Sequence, residues 1–320
     1  MVKRSTASRK FLFFLLVVLI VGFSIFPFIQ MLSISLKYPS EWGTPNLIPE
    51  RLNFEAYKEL LNIGQRAKHI PESVRNLLNE TPDLTQEQRE TILKKYTSTG
   101  DVFPFLRYFY NSFLLSFSAA FITVVFAIFG AYSFSRLRFP GRSIIQRGVL
   151  FVYMFGGILL LIPLYKMFVG IGWIRIPPGA FLSLLIIYIV QTLPVSLYML
   201  GNYFRTIPFS IEEAAMIEGA SRFGTVWRII IPLSFAAIVT VFIYCFMIAW
   251  NEYLFASVFL KNFKELYTLP MGLKALFTSK NAIWDRIMAA SVLTATPVII
   301  LFMSIQRNLS GSLTAGGVKE

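Results

Sequence analysis

Residues 210–232 read SIEEAAMIEGASRFGTVWRIIIP, a charged stretch set between long apolar runs. Glu212, Glu213 and Glu218 are followed by Arg222 and Arg228. Neighbouring carboxylates can do general acid–base work, hold a metal, or pair with a cation. The first two uses need companions that are missing. The one histidine, His69, lies in a distant hydrophilic segment, and Cys245 sits inside an apolar run. No His/Cys/carboxylate set has metal-ligand spacing. A phosphate-cradling P-loop needs a Gly-Lys pair in fixed context, and no Gly-Lys occurs anywhere. Whatever they pair with, the charges must lie outside lipid, because each one in hydrocarbon costs ~2.5–3.5 kcal/mol before pairing.

The local signals predict a helix. Pro208 ends the preceding element, Ser210 can cap the next one, and Glu213, three residues later, completes a capping box. Glu212 and Glu213 also suit the positive end of a helix dipole. Ala214, Ala215, Gly219 and Ala220 leave a nearly bare surface, although a mid-helix glycine costs about 1 kcal/mol relative to alanine. The expected element is a helix over 210–223 whose small-residue face meets another protein. Local packing is the competing explanation.

The elements that position this segment are membrane helices. Hydrophobic residues make up 55% of the 320 positions and charged residues only 15%, whereas a soluble domain has about 25% charged residues. A span needs about 20 apolar residues, and six charge-free stretches meet or approach that length: 11–36, 108–135, 148–165, 176–204, 229–251 and 287–306. The shortest, 148–165, is followed by Lys166, whose stem can stay in lipid. The fold class expected is all-α, with six transmembrane helices.

The net charge of +13 does not point to nucleic acid. Residues 37–107 hold ten basic and ten acidic side chains, so the excess belongs to the spans and their short connections. Lys3, Arg4, Arg9 and Lys10 precede the first span, and Arg136, Arg138, Arg142 and Arg147 follow the second, which by the positive-inside rule makes both sites and both termini cytoplasmic. The N-terminal apolar run is too long for a signal peptide and lacks a small-x-small cleavage pattern, so it reads as an uncleaved span.

The expected order is a cytoplasmic N-tail at 1–10, a first span at 11–36, an extracytoplasmic insert at 37–107, a permease core at 108–309 and a cytoplasmic C-tail at 310–320. Inside the insert, Thr85 to Gln88 fits a second capping box, with Ile92, Leu93 and Tyr96 on one stripe. Pro27, Pro163, Pro194 and Pro297 lie within spans, where proline frees a carbonyl and bends the axis. Gln191, Asn251 and Glu252 are polar positions in or beside spans. They line a translocation path, anchor the interface beside Trp250 and Tyr253, or hydrogen-bond between helices.

Glu213-Ala214-Ala215, three residues, Gly219, nine residues, then Ile229-Ile230-Ile231-Pro232 resembles the EAA loop of inner-membrane permeases from binding-protein-dependent ABC importers. The departure is Ile231 where that family usually has leucine. Asn111-Ser112, GAYSFSRLRFPGR at 130–142, AWNEYLFA at 249–256 and SLTAGGVKE at 312–320 are similar to sequences of the carbohydrate branch, the maltose-type, MalG-like permeases. The insert at 37–107 matches least.

The resemblance implies a type I, MetI-like permease in the bacterial inner membrane, with a cytoplasmic coupling helix that docks into a cleft of a separate ATPase. Carried over, Glu213 would meet a basic group of that ATPase. Ala214, Ala215 and Gly219 would allow close docking, and Ser221, Arg222 and Phe223 would complete the segment. The C-terminal tail would reach toward the same interface. No cofactor is expected on this chain, ATP and Mg belonging to the ATPase. Expected partners are a homologous permease, two ATPase subunits, a solute-binding protein and the membrane, with an oligosaccharide or related sugar as cargo. A gradient-driven secondary transporter or channel is the alternative, against which stand span interiors almost free of ionisable residues. A receptor or structural protein whose insert binds ligand alone is a further one.

Overall fold

The computed structural model describes residues 4–38, 41–63, 85, 103–154, 157–277 and 284–315. The second capping box beyond Thr85, His69 and residues 316–320 lie outside them. The described residues form helices and connecting turns, in two compact units: 1–106 with 275–293, and 107–274 with 294–320.

In the first unit, α1 spans Arg4–Ser35 and carries a 27-residue apolar segment, Arg9–Ser35, of which residues 9–29 are all exposed. Phe11 is 71% and Phe23 is 83% exposed, so a bilayer must supply the solvent that the fold does not. The C-terminal end of α1 is tied to α2 (Glu55–Leu60) by a 2.7 Å hydrogen bond between the Ser35 and Tyr57 hydroxyls. Burial pushes the Tyr57 phenol above its ordinary value, against the lowering effect of Ser35. The Asn53 carboxamide accepts from Glu55 N–H at 2.9 Å, satisfying an otherwise orphaned donor at the start of α2. Lys37 is buried, with its ammonium donating to the Thr44 carbonyl at 3.2 Å.

The second unit is built around α3 (Phe105–Arg136) and α6 (Pro177–Thr206), both long and apolar enough to cross a membrane. The α6 stripe Ala180, Leu184, Ile187 and Tyr188 repeats at three and four residues and is buried, the spacing that keeps one helix face on a core. It packs with Leu115 and Ala119 of α3 and Phe259 of α10 (Leu254–Phe259). Thr123 and Thr192 hydroxyls meet at 3.1 Å between α3 and α6. Gly179 is required by close packing, since a Cβ there would stand 2.4 Å from the Trp173 carbonyl oxygen.

Two expected spans take a different form. The stretch 148–165 is shared between α4 (Arg142–Met154) and α5 (Gly157–Gly170), each shorter than a full crossing. The stretch 229–251 is bent. Its first part belongs to α8 (Arg222–Leu233), its second is α9 (Phe235–Trp250), and the two axes differ by 82°. The break falls at Ser234, whose φ of −101° and ψ of 9° leave the helical region. Without an N–H, Pro232 leaves the carbonyl four residues earlier unclaimed, and the preceding Val226–Ile230 turn widens to π geometry. The remaining described helices are α7 (Phe209–Ile217), α11 (Leu269–Phe277) and α12 (Trp284–Ala315). The helix α12 takes in the first residues of the expected C-tail, through Ala315.

Candidate functional site

The segment 207–223 folds as two short limbs joined by a tight turn. The first limb, α7, starts at Phe209 with Pro208 as its N-cap, at φ −58° and ψ 132°, and no side chain caps it. The capping box expected from Ser210 and Glu213 does not form. Helical geometry begins before Ser210, which places Glu213 in the second turn, out of register with the free amides.

The expected helix over 210–223 also ends early. Gly219 has φ +91°, and it is the glycine after a helix end rather than a mid-helix residue. Its N–H donates to the Met216 carbonyl at 3.1 Å, and Ala220 N–H donates to the Ala215 carbonyl at 3.0 Å. Those two bonds form a Schellman motif, in which glycine is favoured because positive φ crowds any Cβ. Ser221 then caps α8, its hydroxyl accepting from Gly224 N–H at 3.1 Å.

Glu212 and Glu213 are adjacent but face opposite ways. Glu212 is fully buried, and its carboxylate meets Arg136 Nε at 2.6 Å. It also accepts from the Tyr132 hydroxyl at 3.2 Å. Arg136 extends further, donating from Nη2 to the Phe204 carbonyl at 2.8 Å and the Ile207 carbonyl at 2.7 Å. These are end-of-helix acceptors of α6 at the negative end of the helix dipole, and the Phe204 carbonyl also accepts from the Ile207 N–H at 3.2 Å. The guanidinium also lies 5.7 Å from the Phe209 ring centroid.

Glu213, Ala214 and Gly219 are exposed, as are Ser221, Arg222 and Phe223, while Ala215 turns inward and is buried. Ile217 is 87% exposed at the tip of α7. A Cβ at Gly219 would meet nothing within 4 Å, so the space beside it is open. The Phe223 ring stacks on Phe129 of α3, with centroids 5.6 Å apart and planes 5° from parallel. The outward surface therefore combines an exposed carboxylate, unpaired among the described residues, with apolar side chains and a tight turn.

The other polar candidates are not gathered with this segment. Glu252 is a helix cap: its carboxylate accepts from Phe255 N–H at 2.7 Å, Ala256 N–H at 3.0 Å and the Tyr188 hydroxyl at 2.7 Å. Asn251 donates to the Met247 carbonyl at 2.9 Å, within its own helix turn. Gln191 sits against Gly157, where an added Cβ would stand 2.5 Å from Nε2. Asn111 and Ser112 reach another segment: Asn111 donates to the Glu265 and Tyr267 carbonyls at 2.8 and 3.1 Å, and Ser112 accepts from Leu269 N–H at 2.7 Å.

Arg136 and Glu212 were missed as a site by the sequence reading. One signal was present. Successive residues on a helix point about 100° apart, so a Glu-Glu pair on a surface helix places one carboxylate nearer the core, where it needs a cation.

Residues 123–314 match the family described as binding-protein-dependent transport system inner membrane component. The chain is 39% identical over 298 residues to the inner membrane ABC transporter permease protein YcjP of Escherichia coli (strain K12), covering 92% of this chain and 91% of that one. It is 30% identical over 321 residues to the maltose/maltodextrin transport system permease protein MalG of Escherichia coli (strain K12), covering 99% and 98%. Its fold is also similar, with a TM-score of 0.71 and 21% identity, to a chain in the crystal structure of a bacterial ABC transporter involved in the import of the acidic polysaccharide alginate, covering 96% of this chain and 98% of that one. The family match spans α7, the Gly219 turn and α8, and the chain belongs to the inner membrane components of binding-protein-dependent transport systems.

Proposed function

We propose that this chain is one of two homologous permease subunits of a carbohydrate importer, and that the α7–Gly219–α8 turn couples it to a separate ATPase. The observation that carries the reading is the division between the two glutamates. Glu212 is spent inside the chain, so Glu213 is left outward beside Ala214, Ile217 and the turn. An exposed carboxylate on a rigidly held, partly apolar surface suits a basic cleft on another protein.

Similarity to permeases of maltose/maltodextrin transport supports a sugar as cargo. ATP and Mg would be held by the ATPase, and an extracytoplasmic solute-binding protein would deliver the sugar. The basic N-terminal residues and the Arg136 to Arg147 loop support a topology with both termini and the coupling turn in the cytoplasm. Binding of the loaded solute-binding protein and ATP would each favour one state of an alternating pathway, through contacts that differ between states.

Co-purification tests the reading. The tagged chain in mild detergent retains ATPase subunits and a second permease in fixed stoichiometry, and vesicles holding the complex accumulate sugar only with ATP and binding protein. Uptake that persists without any ATPase subunit overturns it in favour of a gradient-driven carrier.

A further inference from the structure

We propose that Arg136 is a positioning residue that locks the ends of α3 and α6 to α7, so that the coupling turn and both membrane helices move as one body. The inference rests on the reading of this turn as the coupling element, and it assigns a role to residues that the outward surface does not use.

Phe129, Tyr132 and Arg136 are spaced at i, i+3 and i+7, which puts them on one face of α3. That stripe holds both limbs of the segment. Tyr132 and Arg136 bind Glu212 on α7, before the Gly219 turn, and Phe129 stacks on Phe223 of α8, after it. The same guanidinium closes the end of α6 through the Phe204 and Ile207 carbonyls. Only Ile207 and Pro208 connect α6 to α7, and Arg136 bridges that link from the side.

Simple capping of α6 would not require a buried carboxylate opposite the cation. The planar guanidinium sets Nε in an ion pair with Glu212 while Nη2 donates to two carbonyls, an arrangement a lysine ammonium does not reproduce. The Glu212 side chain is 0% and the Arg136 side chain 9% exposed. Separating such charges leaves each without water, so a displacement of α7 carries the helix ends with it rather than hinging at 207–208.

The test uses the full-length chain in lipid nanodiscs, alone and with its ATPase, with spin labels at Arg138→Cys and Glu218→Cys in a Cys245→Ser background. In the otherwise unaltered chain the label-to-label distance is narrow and does not shift on trapping with ATP and vanadate. Glu212→Gln and Arg136→Met widen the distribution at least about twofold, the signature of a limb released into wider motion, and Glu213→Gln does not. Should either fail to insert, Arg136→Lys keeps the charge and gives an intermediate width. The proposal is overturned if Glu212→Gln or Arg136→Lys is as narrow as the parent, if Glu213→Gln widens it equally, or if trapping shifts the parent distance. If no ATPase binds, the coupling reading fails, while the nanodisc widths of the chain alone still decide the tether.

Discussion

At one end of α3, Asn111 and Ser112 hold the segment 265–269 through three neutral hydrogen bonds. At the other, Arg136 and Tyr132 hold α6 and α7 through a buried ion pair and the hydrogen bonds around it. Both ends join segments distant in sequence. Neutral bonds to backbone groups contribute about 0.5–1.5 kcal/mol each and can be lost singly. A buried charge pair cannot be taken apart in pieces, because removing either member strands the other. The first arrangement fixes a loop in place, and the second makes three helix ends depend on one another.

The largest expected effect comes from breaking the ionic end. Glu212→Ala leaves the Arg136 guanidinium without its carboxylate and costs about 3–5 kcal/mol. Thermal unfolding of the purified chain in detergent reads this as a much lower midpoint than for Ser112→Ala. Equal midpoints for the two variants would erase the distinction between the ends.

The Gly219 turn comes next. A residue with a Cβ at positive φ costs about 1–2 kcal/mol, with asparagine the least affected. Substitution by asparagine, alanine and valine is expected to weaken ATPase co-purification in that order, because the turn presents α7 and α8 together. A rank that instead followed size, with alanine least harmful and asparagine and valine alike, would favour close docking at Gly219 over its conformation.

Ser112→Ala removes the acceptor for Leu269 N–H at the start of α11 and is expected to cost about 1 kcal/mol, the usual loss for a helix cap. Protease cleavage between 261 and 269 should rise, with ATPase binding unchanged. Weakened ATPase binding in this variant would mean that the two ends of α3 are coupled.

The long apolar runs made the membrane helices legible. The stretch 176–204 lies inside α6 apart from Ile176, the N-cap, and 108–135 lies inside α3, because some 30 residues of uninterrupted hydrophobicity leave a chain little else to do in a bilayer. The glutamate-rich segment was legible as a helix and as a surface, but its register was not. Whether helical geometry starts at Phe209 or Ser210 depends on how Pro208 leaves α6, and Arg136, more than 60 positions upstream, grips that junction. The bend at Ser234 had the same obscurity, since no glycine marks it and the proline lies two residues away. Glu212 and Glu213 look alike in sequence, and only the position of α3 tells them apart.

The smallest expected effect is the most discriminating for the ionic end. Tyr132→Phe removes one hydroxyl at 3.2 Å from Glu212 and leaves the 2.6 Å contact with Arg136 intact. A neutral donor at that distance contributes about 0.5–1 kcal/mol, toward the low side for a hydrogen bond. If Arg136 alone holds α7, the variant keeps a midpoint within that range and an unchanged distance between labels at 138 and 218. If the tyrosine is an equal member of the network, its loss in the Glu212→Gln background is much smaller than in the parent, since both changes then act on one bond set. The cycle of these two substitutions therefore assigns the grip on α7 to one residue or two.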